Sequence, residues 1–109
     1  MSNVGVRDKK DKTPKGENFI ERKLVEAVRA VGGIAPKLVS PGLDGMPDRL
    51  VLLPKGRMGF VEVKAPGKKP RPLQTARLEL LKRLGFKAYV LDGEEQIEGI
   101  VDEIGGEAE

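Results

Sequence analysis

The chain of 109 residues contains no cysteine, no histidine and no tryptophan. Without cysteine, disulfides, zinc–thiolate centres and thiol nucleophiles are excluded. Without histidine, no mechanism can rest on an imidazole base. A bound metal ion would need oxygen ligands, which favours magnesium, manganese or calcium. The three phenylalanines and one tyrosine lie in apolar patterns and offer no platform for stacking single-stranded bases.

Long hydrophobic runs are also lacking, and the N-terminus has no signal-peptide core. We therefore expect an intracellular, cytoplasmic protein without a membrane partner. The length suits one domain. We place that domain at 16–105, after a disordered basic arm at 1–15 and before a frayed tail at 106–109.

Charge is unevenly distributed along the chain. Six basic residues and only one acidic residue, Glu62, lie between Pro54 and Pro72. From Glu94 onward there are seven acidic residues and no basic one. Such an asymmetry is typical of a protein that presents one face to a charged partner, usually nucleic acid.

Hydrophobic periodicity predicts seven elements in the order α-β-β-β-α-β-α, an α/β sandwich with a central mixed sheet. They are a helix from Thr13-Pro14 to Gly32-Gly33, strands at 34–39, 49–54 and 58–65, a helix with Leu73, Ala76, Leu80 and Leu84 facing inward before Gly85, a strand at 86–91, and a helix capped by Asp92 with Glu95 and ending near Ile104. The unbroken apolar run at 49–54 predicts burial on both faces of its strand.

Two acidic residues are predicted to meet at one end of a hairpin. Asp48 precedes one strand, and Glu62 lies near the end of the next, after a tight turn at 55–57. Antiparallel pairing of these strands brings Asp48 and Glu62 together, with Lys64 on the same face as Glu62. Each of these charges taken alone is more simply a solvated or loop residue, but the set favours a metal site.

A third carboxylate is expected from the first helix. Glu21 lies at the rim of the apolar stripe, and Glu17, one turn earlier, is the alternative. Three converging carboxylates repel one another unless a cation compensates them. The loop that follows Lys64 could hold phosphate groups nearby through Lys68, Lys69 and Arg71, although these side chains could instead serve only solubility.

Pro47-Asp48 followed by VEVK at 61–64 resembles the signature of the PD-(D/E)XK nuclease superfamily. Four longer stretches together resemble a stand-alone virus-type replication-repair nuclease, the VRR-NUC family. They are IERKLVEAV with the following GG, SPGLDGMPDRLVL, GFVEVKAPGKKPRPLQ and LGFKAYVLD. The resemblance runs from about Glu17 to Ile104.

This resemblance implies a restriction-endonuclease-like fold and a Mg²⁺- or Mn²⁺-dependent DNA endonuclease, a hydrolase acting on phosphodiester bonds through a metal-activated water. By resemblance, Asp48, Glu62, Lys64 and Gln74 are catalytic. The implied metal ligands are Glu21, directly or through water, with Asp48, Glu62 and the backbone carbonyl of Val63. No nucleotide cofactor is expected.

The implied substrate is branched DNA such as a four-way (Holliday) junction, and the implied assembly is a homodimer. A nuclease for flaps or plain duplex, and a non-catalytic DNA-binding subunit with the same fold, remain alternatives. An interaction module that uses the acidic C-terminal helix is a third. The sequence leaves open whether the pathway is replication, repair or packaging.

Overall fold

The computed structural model describes residues 16–106, and all structural statements below refer to that part of the chain. Its helices and strands are α1 (Glu17–Ala30), β1 (Arg49–Leu53), β2 (Arg57–Val63), α2 (Pro72–Arg83), β3 (Ala88–Leu91) and α3 (Ile97–Gly105). The sheet has the order β1-β2-β3, with β1 antiparallel and β3 parallel to β2. The predicted α/β class with a mixed sheet is confirmed.

The first predicted strand, at 34–39, is not a strand. It follows the edge of β1 and makes only isolated bridges, from Ile34 to Leu52 and from Lys37 to Arg49. Pro36 has no N–H to donate to a ladder, and only its carbonyl is used, as the acceptor for the Leu50 N–H at 3.0 Å. The segment is therefore an edge that positions β1 without extending the sheet.

One face of the sheet carries most of the hydrophobic core. Helices α1 and α3 cover that face, burying the residues Ile20, Leu24, Val28, Val51, Leu53, Val61, Val63, Leu91, Ile97, Ile100, Val101 and Ile104. On β1 only Val51 and Leu53 are buried, whereas Leu50 and Leu52 are half-buried on the opposite face. The expectation that 49–54 is buried on both faces is therefore wrong.

Helix α2 covers the second face, with a different side than the sequence predicted. Leu73 and Leu84 are 44% and 64% exposed. The buried side instead carries Gln74, Leu78 and Leu81. The helix has apolar residues on two sides, and the side turned inward is the one that also brings an amide to the sheet. Leu78 and Leu81 form a small second cluster with Ala88, against which Met46, Phe60 and Val90 pack.

Two element ends also differ from expectation. Helix α1 begins at Glu17, with Gly16 at the N-cap. The predicted cap Thr13, the arm at 1–15 and residues 107–109 lie outside the described residues. Before α3, Asp92 exchanges two hydrogen bonds of 2.9 Å with Gln96 and none with Glu95, because a 3₁₀ turn at Glu94–Gln96 shifts the start of the helix.

Among residues 16–106, no helix is both long enough and apolar enough to cross a membrane.

Candidate active site

The hairpin brings Asp48 and Glu62 together at one end of the sheet. Arg49 pairs with Val61, so the preceding Asp48 falls opposite Glu62. The Asp48 carboxylate is fixed there, because its Oδ1 accepts a 3.0 Å hydrogen bond from the Val63 N–H. The predicted proximity of the two acids is confirmed.

Glu62 is a buried carboxylate with only half of its bonding capacity used. Its side chain is 3% exposed. Oε2 accepts a hydrogen bond from Gln74 Nε2 at 2.8 Å and lies 3.3 Å from Lys64 Nζ. Oε1 is also buried, yet within the described part of the chain it has no hydrogen-bond partner. Since an unsatisfied buried carboxylate oxygen is costly, this oxygen is available for a further ligand.

Gln74 connects Glu62 to the loop that precedes α2. Its Nε2 donates to Glu62, while its Oε1 accepts from the Arg71 N–H at 2.8 Å. This second bond satisfies a backbone donor at the start of the helix. The single side chain therefore orients the Glu62 carboxylate and fixes the end of the basic loop, the segment 64–71 between β2 and α2.

Both acids are held in surroundings that oppose their ionisation. Burial raises the pKa of Asp48, the bond from the Val63 N–H lowers it, and the charges of Glu21 and Glu17 raise it further. Burial also raises the pKa of Glu62, as do the charges of Asp48 and Glu17, while Lys64 lowers it. A cation placed between the two carboxylates would offset both the cost of burying their charges and their mutual repulsion.

The two helical acids differ in their surroundings. Glu21 Oε2 accepts a 3.1 Å charged hydrogen bond from Arg49 Nε, and both side chains are 14% exposed. The charges of both acids raise the pKa of Asp48, Glu21 more than Glu17, and Glu17 also raises the pKa of Glu62. Sequence reasoning missed Arg49. The available signal was a basic residue inside a mostly apolar strand, directly after the motif aspartate.

The basic loop leaves β2 beside this site. Lys68, Lys69 and Arg71 are exposed, and a tight turn lies at the start of the loop, where the Lys68 N–H donates to the Ala65 carbonyl at 3.0 Å. Gly67 adopts a φ of 82° there, a conformation that favours glycine. The three cations therefore follow the strand that carries Glu62 and Lys64.

The donor set of this site suits a hard divalent cation. Asp48 and Glu62 supply oxygen ligands, one oxygen of Glu62 is unpartnered, and both pKa values are raised. Within residues 16–106 no three acidic side chains form a complete metal-binding group. Magnesium commonly binds through one or two carboxylates and completes its shell with water and substrate phosphate oxygens. The residues present therefore fit such an ion.

Comparison with known proteins agrees with the fold and with the resemblance to a nuclease family. The model of the VRR-NUC domain matches residues 9–95. The chain is 53% identical over 79 residues to "Putative nuclease p44" of Acyrthosiphon pisum secondary endosymbiont phage 1, covering 72% of this chain and 85% of the relative. A solved structure described as a VRR_NUC domain superposes with a TM-score of 0.74 at 32% identity, covering 83% of this chain and 97% of that one. The chain therefore belongs to the VRR-NUC family and is a nuclease domain.

Proposed function

We propose that this nuclease domain is a metal-dependent DNA endonuclease that hydrolyses phosphodiester bonds in branched DNA. The observation that carries the proposal is the meeting of Asp48 and Glu62 at facing strand ends, with one buried Glu62 oxygen unpartnered and Lys64 Nζ 3.3 Å from the other. Two carboxylates can hold a metal ion, an amine can stabilise developing charge, and a basic loop can bind the DNA backbone, so the set suits phosphodiester hydrolysis.

In this proposal Asp48, Glu62 and the backbone carbonyl of Val63 hold Mg²⁺ or Mn²⁺, with a helical acid, Glu21 or Glu17, nearby. Once bound, such an ion polarises a phosphoryl oxygen and lowers the pKa of a coordinated water. Because Glu21 is already paired with Arg49 at 3.1 Å, Glu17 is favoured as the helical acid.

Lys64 and Gln74 have different roles in the reaction. Lys64 contacts Glu62 and is 16% exposed, so its ammonium is partly desolvated. A fixed positive charge in such a site stabilises the negative charge that develops on the phosphoryl group. Gln74 keeps Glu62 in position through the 2.8 Å bond to Oε2.

The basic loop supplies the contact with the DNA backbone. Replacing both Lys68 and Lys69 by alanine is expected to weaken DNA binding about equally across sequences and to reduce the slope of log K against log salt by about 1 to 2. Fluorescence anisotropy at several salt concentrations measures this slope. As a matched control, Lys82→Ala with Lys87→Ala removes two charges at and beyond the far end of α2. An equal loss of slope in the control would remove the special role of the loop.

Two features support a homodimer and a branched substrate. Leu73, Leu84 and Phe86 are exposed to 44%, 64% and 43% along and after α2, and Leu50 and Leu52 are only half-buried on the sheet face that α2 covers. The surface that we propose for a second copy is the one marked by the exposed side chains of Leu73, Leu84 and Phe86. Two active sites related by a two-fold axis suit two symmetric cuts.

We place the reaction in the cytoplasm of a bacterial or phage-infected cell, which the phage origin of the p44 relative supports.

The test is cleavage of a labelled panel of four-way junction, splayed arm, 5′ flap and duplex DNA with Mg²⁺ or Mn²⁺, beside an EDTA control. Metal-dependent cutting of the junction by symmetric nicks is the expected result, and the mass of the protein in solution should be that of a dimer. Preferential cutting of a flap or duplex would retain the nuclease and reject the junction. Binding of the panel without cutting would favour a non-catalytic DNA-binding subunit.

A further inference from the structure

Arg49 joins three parts of the structure next to the motif aspartate. Its Nε contacts Glu21 of α1 at 3.1 Å, and its Nη1 donates to the carbonyl of Ala35 at 2.6 Å. The segment containing Ala35 is itself bound to β1, because the Leu38 N–H donates to the Asp48 carbonyl at 2.9 Å. Arg49 is thus held by two acceptors and has little freedom to move.

The pleat of the sheet places this pair on the other side from Glu62. Arg49 pairs with Val61, and the side chains of both residues lie on the face covered by α1 and α3. Glu62 is the next residue after Val61, so its side chain lies on the α2 face, where it meets Gln74. Arg49 therefore binds Glu21 on the α1 side of the sheet, away from the carboxylate of Glu62.

We propose that Arg49 is a positioning residue that keeps Glu21 as its own counter-ion and out of the metal shell. This inference rests on the proposed metal-dependent function. It adds that the ion pair between Arg49 and Glu21 sets the net charge around the metal site. With Glu21 neutralised, the ion is held by Asp48 and Glu62 without a third full charge from that position. Glu21 then acts on the site through its negative charge alone, which the paired Arg49 offsets.

Binding of Mn²⁺ to the metal-free protein, in the absence of DNA, tests the inference without any measurement of activity. The double variant Glu21→Gln with Arg49→Met removes the pair together, and we expect its dissociation constant for Mn²⁺ to stay within about twofold of the unaltered protein. Removal of a charge pair that does not coordinate changes little at the site, because the two opposite charges nearly cancel there. Weakening by roughly tenfold or more would make Glu21 a ligand and overturn the inference.

The single variant Arg49→Met, unlike the double variant, should change the dissociation constant for Mn²⁺. It leaves Glu21 ionised and free beside Asp48, so Mn²⁺ binding should tighten by roughly tenfold, the direction that Coulomb attraction dictates. If Arg49 served only to hold the fold together, its loss would disorder the site and weaken Mn²⁺ binding. Unchanged or weaker binding by a folded Arg49→Met protein would overturn the inference. If that variant does not fold, the double variant decides, since a buried ion pair is often replaced by uncharged residues at little cost.

One control separates this inference from the proposed function. Asp48→Asn should weaken Mn²⁺ binding at least tenfold, which shows that the assay reports the proposed site. If the unaltered protein does not bind Mn²⁺, both proposals fall. If it binds Mn²⁺ and loses that binding in the double variant, only the role of Arg49 falls.

Discussion

Replacing Asp48 by asparagine is expected to slow DNA cleavage by roughly a thousandfold or more. The substitution is nearly isosteric, and the asparagine Oδ1 can still accept the hydrogen bond from the Val63 N–H that fixes the native side chain. The fold and the DNA-binding loop should therefore be retained while one anionic ligand is lost. Single-turnover cleavage with excess protein, beside anisotropy for binding, separates the chemical step from DNA affinity.

Asp44→Asn is the matched control for this substitution. Asp44 is an exposed acid in the same loop, and only its backbone carbonyl is used, as acceptor for Arg77 Nε at 2.7 Å. Its neutralisation should leave the cleavage rate within about twofold, because it removes a charge outside the site. A comparable loss in both variants would mean that the loop, and not the Asp48 carboxylate, controls the rate.

The same Asp48→Asn substitution should stabilise the protein in EDTA. The pKa of Asp48 is raised above its ordinary 3.8, chiefly by burial. The folded state therefore binds more protons than the unfolded state between these two pKa values, and stability falls as pH rises through that window. We expect the variant to melt at a higher temperature than the unaltered protein at pH 8, and the difference to vanish below pH 3.8. An equal difference at all pH values would exclude ionisation as the cause.

The sequence was sufficient to predict the local parts of the site. Asp48 and Glu62 meet because hairpin register follows from strand pattern and turn length, and these are local properties of the chain. The position of Gln74 at the start of the predicted helix, together with the resemblance, placed this residue near the same site. The inward side of α2 could not be predicted, because that helix carries two apolar stripes, and the contact between Gln74 and Glu62, not hydrophobicity, distinguishes the side that faces the sheet.

Arg49 could not be assigned from the sequence for a related reason. Its partners, Glu21 and the carbonyl of Ala35, lie 28 and 14 residues away along the chain. Only the packing of α1 across the sheet brings them together, and that arrangement is tertiary. The strand prediction for the edge segment at 34–39 is wrong for the same reason. Its hydrogen bonds depend on how the segment lies against the edge of β1, which is also a tertiary property.

Gly33→Ala is expected to lower the free energy of unfolding by about 3 kcal/mol. A Cβ on Gly33 would collide with the carbonyl oxygen of Leu52 and would lie 2.7 Å from Leu53 Cδ2 and 3.0 Å from Val28 Cγ1. The backbone of Leu52 cannot move freely, because it accepts the Ile34 N–H at 3.0 Å and donates to the Ile34 carbonyl at 2.9 Å. Relief of the collision must therefore disturb the junction between α1, the edge segment and β1.

The control is Gly99→Ala in α3, where an added Cβ meets no atom within 4 Å. Alanine there should stabilise the protein by about 1 kcal/mol, because glycine is a poor helix former. Thermal melts should then move in opposite directions, with Gly33→Ala lower by roughly 10–20 °C. Gly33 lies at the far end of β1 from Asp48, so folded Gly33→Ala protein should cleave DNA normally at low temperature. Two variants that melt alike would mean that the turn after α1 adapts to a side chain, and that close approach of backbone to backbone is not what requires glycine at this position.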